Sequence, residues 1–128
     1  MAHQKGLEVI PLVGPSSILL ALMASGMNGQ QFCFNSYLSP KKPELSKELK
    51  RLELHAKRHK QTQIFIETPY RNTGMIETAL KALSPEKLFC IAADITLPTA
   101  YIKTQKIKDW RKTKLPDLHK RPALFLLY

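Results

Sequence analysis

The segment Pro122-Ala-Leu-Phe-Leu-Leu-Tyr128 carries apolar side chains on both faces of an extended chain. A strand of that kind is stable only in the middle of a sheet with material packed on either side. The remaining segments supply such a sheet. Glu8–Val13 is a short run rich in β-branched and apolar residues and reads as a strand. The turn Gly14-Pro15-Ser16-Ser17 follows it, then a helix from Ile18 to Ser25 closed by Gly26. Pro and Ser suit a helix start and Gly suits the position just past its end. Phe32–Leu38 reads as a strand broken by Ser39-Pro40, and residues 43–59 as a helix with Leu45, Leu49, Leu52 and Ala56 in one stripe. Thr62–Ile66 is the next strand, then a helix over about Tyr70–Leu83, a strand over Lys87–Ala93, and an edge strand over Thr99–Thr104. Lys106–Lys112 forms one or two helical turns around Trp110. The alternation predicts an α/β fold with a mixed β-sheet flanked by helices. The helix Ile18–Ala24 is apolar on every side. It is expected to be sandwiched between layers, which implies more protein around it than the chain supplies.

Length and charge narrow the function. At 128 residues the chain is one domain's worth of material. The longest uncharged apolar run, Ile18–Ala24, is far short of a membrane span, and the first residues lack a secretory h-region, so the expected location is the cytoplasm. Cys33 and Cys90 lie in separate strand-like stretches and are expected to be buried free thiols. The net charge is +10, and the excess is clustered. Residues 41–60 hold eight Lys/Arg against three Glu, a net +5, and residues 103–121 hold eight Lys/Arg against two Asp, a net +6. Cations gathered in this way suit a polyanion such as nucleic acid, although a solvated basic face gives the same count.

Few catalytic motifs are present. Gly14-Pro15-Ser16-Ser17-Ile18 lacks the second small residue of a hydrolase nucleophile elbow. Ser16 and Ser17 are either a helix cap or part of a ligand site at a helix N-terminus, and local sequence does not choose between them. His55 and His59 are four apart among Lys57, Arg58 and Lys60, with no Glu after His55, so no metal site is expected. No glycine-rich phosphate loop exists. Glu67 and Arg71 sit where open α/β sheets place ligand contacts, at the C-terminal end of a strand, and read equally as a structural ion pair.

The ordered set of segments is more specific than any one of them. It comprises Val-Ile-Pro-Leu-Val-Gly-Pro-Ser-Ser before an Ala/Leu-rich helix ending Ala-Ser-Gly, then Phe-Cys-Phe-Asn-Ser-Tyr-Leu-Ser-Pro-Lys-Lys, Ile-Phe-Ile-Glu-Thr-Pro-Tyr-Arg and Asp-Ile-Thr. Over about residues 7–128 it resembles the second half of the tetrapyrrole methylase superfamily, nearest the branch that methylates a ribose 2′-hydroxyl of small-subunit ribosomal RNA. The resemblance implies an S-adenosylmethionine-dependent methyltransferase of two α/β domains, homodimeric, with the cofactor in the cleft between the domains. Residues 1–28 would hold the last strand and helix of the N-terminal domain, and 29–128 the C-terminal domain, and the fragment alone is expected to be inactive. By position the resemblance places Ser16, Ser17, Glu67, Ile95, Pro122 and Ala123 at the cofactor, and Arg71 and Tyr70 toward substrate; if a side chain takes a proton from the acceptor, Glu67 or Asp94 is the one expected to do so. Ribosomal RNA is the implied partner. Where that branch usually reads Glu-Leu-Thr-Lys, this chain has Asp94-Ile95-Thr96-Leu97, so a charge near the substrate face is absent. The contrasting expectation is a non-catalytic basic α/β module that holds RNA phosphates with residues 41–60 and 103–121.

Overall fold

The computed structural model describes residues 1–128. Five strands form one mixed sheet: β1 (Phe32–Tyr37), β2 (Thr62–Glu67), β3 (Leu88–Ala93), β4 (Tyr101–Lys106) and β5 (Ala123–Leu127). Their spatial order is β1-β2-β5-β3-β4, with β1 parallel to β2 and the other pairings antiparallel. β5 is therefore central and fully buried, as its two-faced apolar sequence requires, and β4 is an edge.

Four helices cover the sheet: α1 (Ser17–Ser25), α2 (Lys42–His59), α3 (Asn72–Ala82) and the short α4 (Ile107–Trp110). α2 starts with Pro43 in its first turn and buries Leu45, Leu49, Leu52 and Ala56, the predicted stripe. It stops at Lys60, which takes a left-handed conformation (φ +49°). α3 begins two residues later than the sequence pattern suggests, after Arg71, because residues 69–71 form a turn. Its last carbonyls are held from outside by Arg111, whose Nε donates to Leu80 O (2.8 Å) and whose Nη2 donates to Leu83 O (3.0 Å). Beneath α2, α3 and α4, Phe65, Phe89 and Phe125 pack ring to ring, and the buried Trp110 donates from Nε1 to Phe89 O (2.8 Å).

The other face carries α1 over Ile64, Cys90, Ala92, Leu124 and Leu126. One expectation is corrected here. Residues 8–13 form no strand: they pair with nothing, and Leu12 and Val13 are 88% and 108% exposed. A β-branched run becomes a strand only where a neighbour completes its ladder, and this segment has none. α1 packs on the sheet with one side. It buries Ala21, Leu22 and Ser25 against the sheet and leaves Leu19 and Met23 bare. The edge strand β4 lies two residues beyond its predicted span.

Both cysteines are free, Cys90 buried beneath α1 and Cys33 half-buried in the edge strand β1. Burial pushes the Cys90 thiol up. Iodoacetamide at pH 8 is therefore expected to label the folded chain once, at Cys33, and twice after unfolding. Labelling of Cys90 in the folded chain, read by mass spectrometry, would mean that α1 lifts from the sheet.

Candidate functional site

A cleft of about 320 Å³ opens at the end of the sheet where β1, β2 and β3 finish and β5 begins. That end of an open α/β sheet is where ligands bind, because loops diverge there and leave backbone groups free. Of the residues singled out from the sequence, Ser17, Glu67, Asp94, Ile95, Pro122 and Ala123 line it together. Ser16 lies one residue outside and serves as the α1 cap, its Oγ accepting from Leu19 N at 3.5 Å. Tyr70 stands on the neighbouring rim, 71% exposed, with its ring edge-on to His119.

Glu67 is the last residue of β2 and is buried although its strand ends at the cleft. Its Oε1 accepts from Thr68 N (2.6 Å) and from Arg71 Nε (3.0 Å). Arg71 thus holds the carboxylate from the first turn after the strand, through the tight Thr68-Pro69-Tyr70 turn. Both bonds fall on one oxygen, and Oε2 accepts none.

Asp94 is held differently. Its Oδ2 accepts from Arg121 Nε (2.7 Å) and Thr99 Oγ1 (3.0 Å). The guanidinium of Arg121 keeps the Asp94 carboxyl below the usual carboxylate range, with Thr99 adding to the effect and burial opposing it. Arg121 also donates to Asp117 O (2.8 Å) and Thr99 O (2.6 Å), so one side chain ties the 94–100 loop to the 117–122 loop. The buried Asn72 fastens the second loop to α3 through bonds to Leu118 O and Arg121 O.

The backbone around the cleft is unusual. Ser36, Asp94, Thr96 and Lys120 all have positive φ, and Thr96 is β-branched, for which φ +74° is a costly conformation. The N–H groups of Ile95 and Thr96 bond to no backbone carbonyl. Apolar walls from Ile66, Ile95, Leu97 and Leu124, with a few free donors beside them, suit a ligand with a flat apolar part and polar substituents.

Sequence reasoning gave no site role to several residues here. Tyr37 and Leu97 line the cleft, and Arg121 organises it from behind. Tyr37 ends β1, so the strand-end rule that singled out Glu67 also applies to it. Arg121 was counted within the basic run 103–121. Much of that run is engaged internally: Arg111 on α3, Arg121 on Asp94, and Lys106 and Lys108 on Glu86.

No group of three His, Cys, Asp or Glu is placed to hold a metal ion, and no helix is long and apolar enough to cross a membrane. No family model matches the chain. Its sequence is 33% identical over 94 residues to the ribosomal RNA small subunit methyltransferase I of Vibrio cholerae, covering 73% of this chain and 31% of that protein. The Haemophilus influenzae protein of the same name is 32% identical over 115 residues, covering 90% of this chain and 39% of that protein. The chain spans about a third of the length of the curated relatives it matches. Among solved structures, the methyltransferase CobJ superposes with a TM-score of 0.56 at 22% identity, covering 98% of this chain and 52% of CobJ. The cobalt precorrin-4 methyltransferase CbiF gives 0.55 at 15% identity, covering 98% of this chain and 54% of CbiF. The sequence matches and the shared fold agree with the resemblance carried by the motifs: the chain is a homologue, over part of their length, of the ribosomal RNA small subunit methyltransferase I proteins and has the fold of the tetrapyrrole methyltransferases.

Proposed function

We propose that the chain is the C-terminal portion of an S-adenosylmethionine-dependent methyltransferase acting on ribosomal RNA, with residues 1–28 continuing an N-terminal domain and residues 29–128 forming the substrate-side domain. The observation that carries this reading is the convergence of Ser17, Glu67, Asp94, Ile95, Pro122 and Ala123 on one cleft, from four separate stretches of chain. The names of the relatives support the reaction and the substrate class. The bare side of α1 and the unpaired 8–13 segment support a further domain on that face. A homodimer belongs to the same reading and is tested by sedimentation of the full-length enzyme.

The cleft fits the cofactor by its chemistry. Apolar side chains flank a heterocycle-sized space, and the N–H group of Ile95, which bonds to no backbone carbonyl, is available to polar substituents. S-adenosylmethionine, when bound, supplies an electrophilic methyl group. The protein's task is then to exclude water, orient the acceptor in line and take a proton from it if it is a hydroxyl. Glu67 is the better placed of the two carboxylates for that proton. Arg71 and the Thr68 N–H fix its Oε1 and leave Oε2 open. Asp94 is spent on Arg121 and Thr99 and is held in its charged form, which makes it an anchor for the cofactor loop.

Two measurements test this. Equilibrium dialysis of a full-length enzyme carrying this domain with S-adenosylhomocysteine is expected to show binding that Leu97→Trp, at the exposed mouth of the cleft, weakens. In a full-length enzyme carrying this domain, Glu67→Gln is expected to lower turnover by about 10²-fold or more, the usual share of a general base. Unchanged turnover would take Glu67 out of that role.

A further inference from the structure

The basic segments that lie far apart in sequence meet at the end of the sheet opposite the cleft. β2 runs toward the cleft from Thr62 to Glu67, and β5 returns to end at Leu127 beside the start of β3. Tyr128 and Leu88 close that far end with two backbone hydrogen bonds of 3.0 Å. Six extended residues span roughly 20 Å, which sets the distance between the two ends. α2 runs back from the cleft side and delivers Lys57 and Lys60 to the far end, where they line one hollow with Lys87 and Lys106. An adjoining hollow shares Lys57 and Lys87 and takes in Lys50. Lys50 and Lys57 are seven residues apart on α2, two turns or roughly 10 Å along one face.

Glu53 and Glu86 line the same hollows, but neither pairs with Lys50, Lys57, Lys60 or Lys87, and the acids nearby have other partners. Glu53 accepts from Ser84 N (2.8 Å), Glu44 and Glu48 accept from Ser39, and Glu86 is taken by Lys106 and Lys108. The two ammonium groups hold Glu86 down to about 2, so it stays charged and committed to them. Lys50, Lys57, Lys60 and Lys87 form no ion pair with any carboxylate. Lys57 and Lys60 gain something from the C-terminal end of the α2 dipole, but Lys50 lies two turns earlier and Lys87 is outside the helix.

Resting on the reading of the chain as part of an RNA methyltransferase, we infer that the row Lys50, Lys57, Lys60 and Lys87 holds the RNA backbone about 20 Å from the methylated nucleotide. Four cations, two on α2, one capping it and one from the loop before β3, match a chain of phosphates better than a single anion. A membrane surface is the poorer fit. An interfacial helix needs an apolar face beside its lysines, and the apolar stripe of α2 is packed on the sheet. Such contacts position RNA without reading its sequence. They explain how a domain with Leu97 at its cleft mouth keeps hold of a polyanion.

The test is fluorescence anisotropy of the 128-residue chain with a labelled small-subunit rRNA hairpin between 50 and 200 mM KCl. The triple variant Lys50→Gln, Lys57→Gln, Lys87→Gln is compared with a charge-matched control, Lys5→Gln, Lys112→Gln, Lys114→Gln. The first is expected to lose at least about 10-fold in affinity at 100 mM salt and to flatten the log–log salt slope by about two units, at roughly 0.7 to 0.9 per phosphate contact. The control is expected to stay within about threefold on the same electrostatic grounds. The single Lys57→Glu should weaken binding in the same direction. Equal losses in both triple variants, or no loss in either, would overturn the assignment, as would binding to phosphatidylserine vesicles that depends on these lysines while RNA binding does not. Dialysis of a full-length enzyme carrying this domain with S-adenosylhomocysteine separates the two readings. If the cofactor fails to bind but the lysine dependence holds, the methyltransferase reading falls and the RNA surface stands; if the cofactor binds and the lysine dependence is absent, only the surface falls.

Discussion

Arg121→Met is expected to loosen the cleft more than any substitution of a residue that lines it. The side chain makes three hydrogen bonds, to Asp94 Oδ2, Thr99 O and Asp117 O, and its removal leaves a largely buried carboxylate with only Thr99 as partner. Removing one member of such a pair costs far more than removing both, because the remaining charge stays desolvated. The 94–100 loop, with Asp94 and Thr96 at positive φ, then has little to hold it in a strained conformation. We expect the melting temperature to fall by at least about 5 °C at pH 7 and S-adenosylhomocysteine binding to weaken at least about tenfold. Arg121→Lys, which keeps the charge but lacks the fork, should recover only part of both. The pH dependence has a definite sign. Asp94 titrates below its ordinary value of 3.8 in the folded chain, so its contribution is complete above that value and is lost as the pH falls below it. The wild type and Arg121→Met should therefore converge in melting temperature below about pH 4. A constant difference across that range would assign the effect to packing alone.

Phe125→Ala is the second large effect. Phe125 sits in the central strand with no exposure, and its ring lies 5.8 Å from Phe65 and 6.0 Å from Phe89, both near parallel. These rings come from three adjacent strands, β2, β5 and β3, so helices above and sheet below leave the site no room to collapse. Phe→Ala changes of this kind cost about 3–5 kcal/mol, against a total stability of roughly 5–15 kcal/mol for a domain. The expected result is a urea midpoint lowered by a third or more of its value, or loss of the cooperative transition, on the same scale. Ile102→Ala on the edge strand, where the side chain is 38% exposed, should stay within about 1 kcal/mol. Similar losses at both positions would contradict a core centred on β5.

Much of the fold was legible because its elements announce themselves locally. The stripe of α2 and the two-faced apolar strand β5 are statements about burial written in residue order. The 8–13 segment misled because β-branched composition reports a preference that only a pairing partner can realise. The cleft was partly legible. Glu67 and Arg71 followed from the strand-end rule, while Ser17, Asp94, Ile95, Pro122 and Ala123 came from the family resemblance. Arg121 was hidden because charge counting cannot tell a solvated arginine from one turned inward. Its partners, Asp94 and Thr99, lie more than twenty residues away across a loop whose course is set by the sheet.

The order of strands also governs when the sheet can form. β5, the last strand in the sequence, lies between β2 and β3, which otherwise do not touch. Until residues 123–127 have left the ribosome, β1-β2 and β3-β4 are two separate pairs, each too small to be stable alone. The sheet therefore closes by insertion rather than addition: a long-range step that joins two waiting halves, and that leaves their unpaired edges open to other chains for as long as it is delayed.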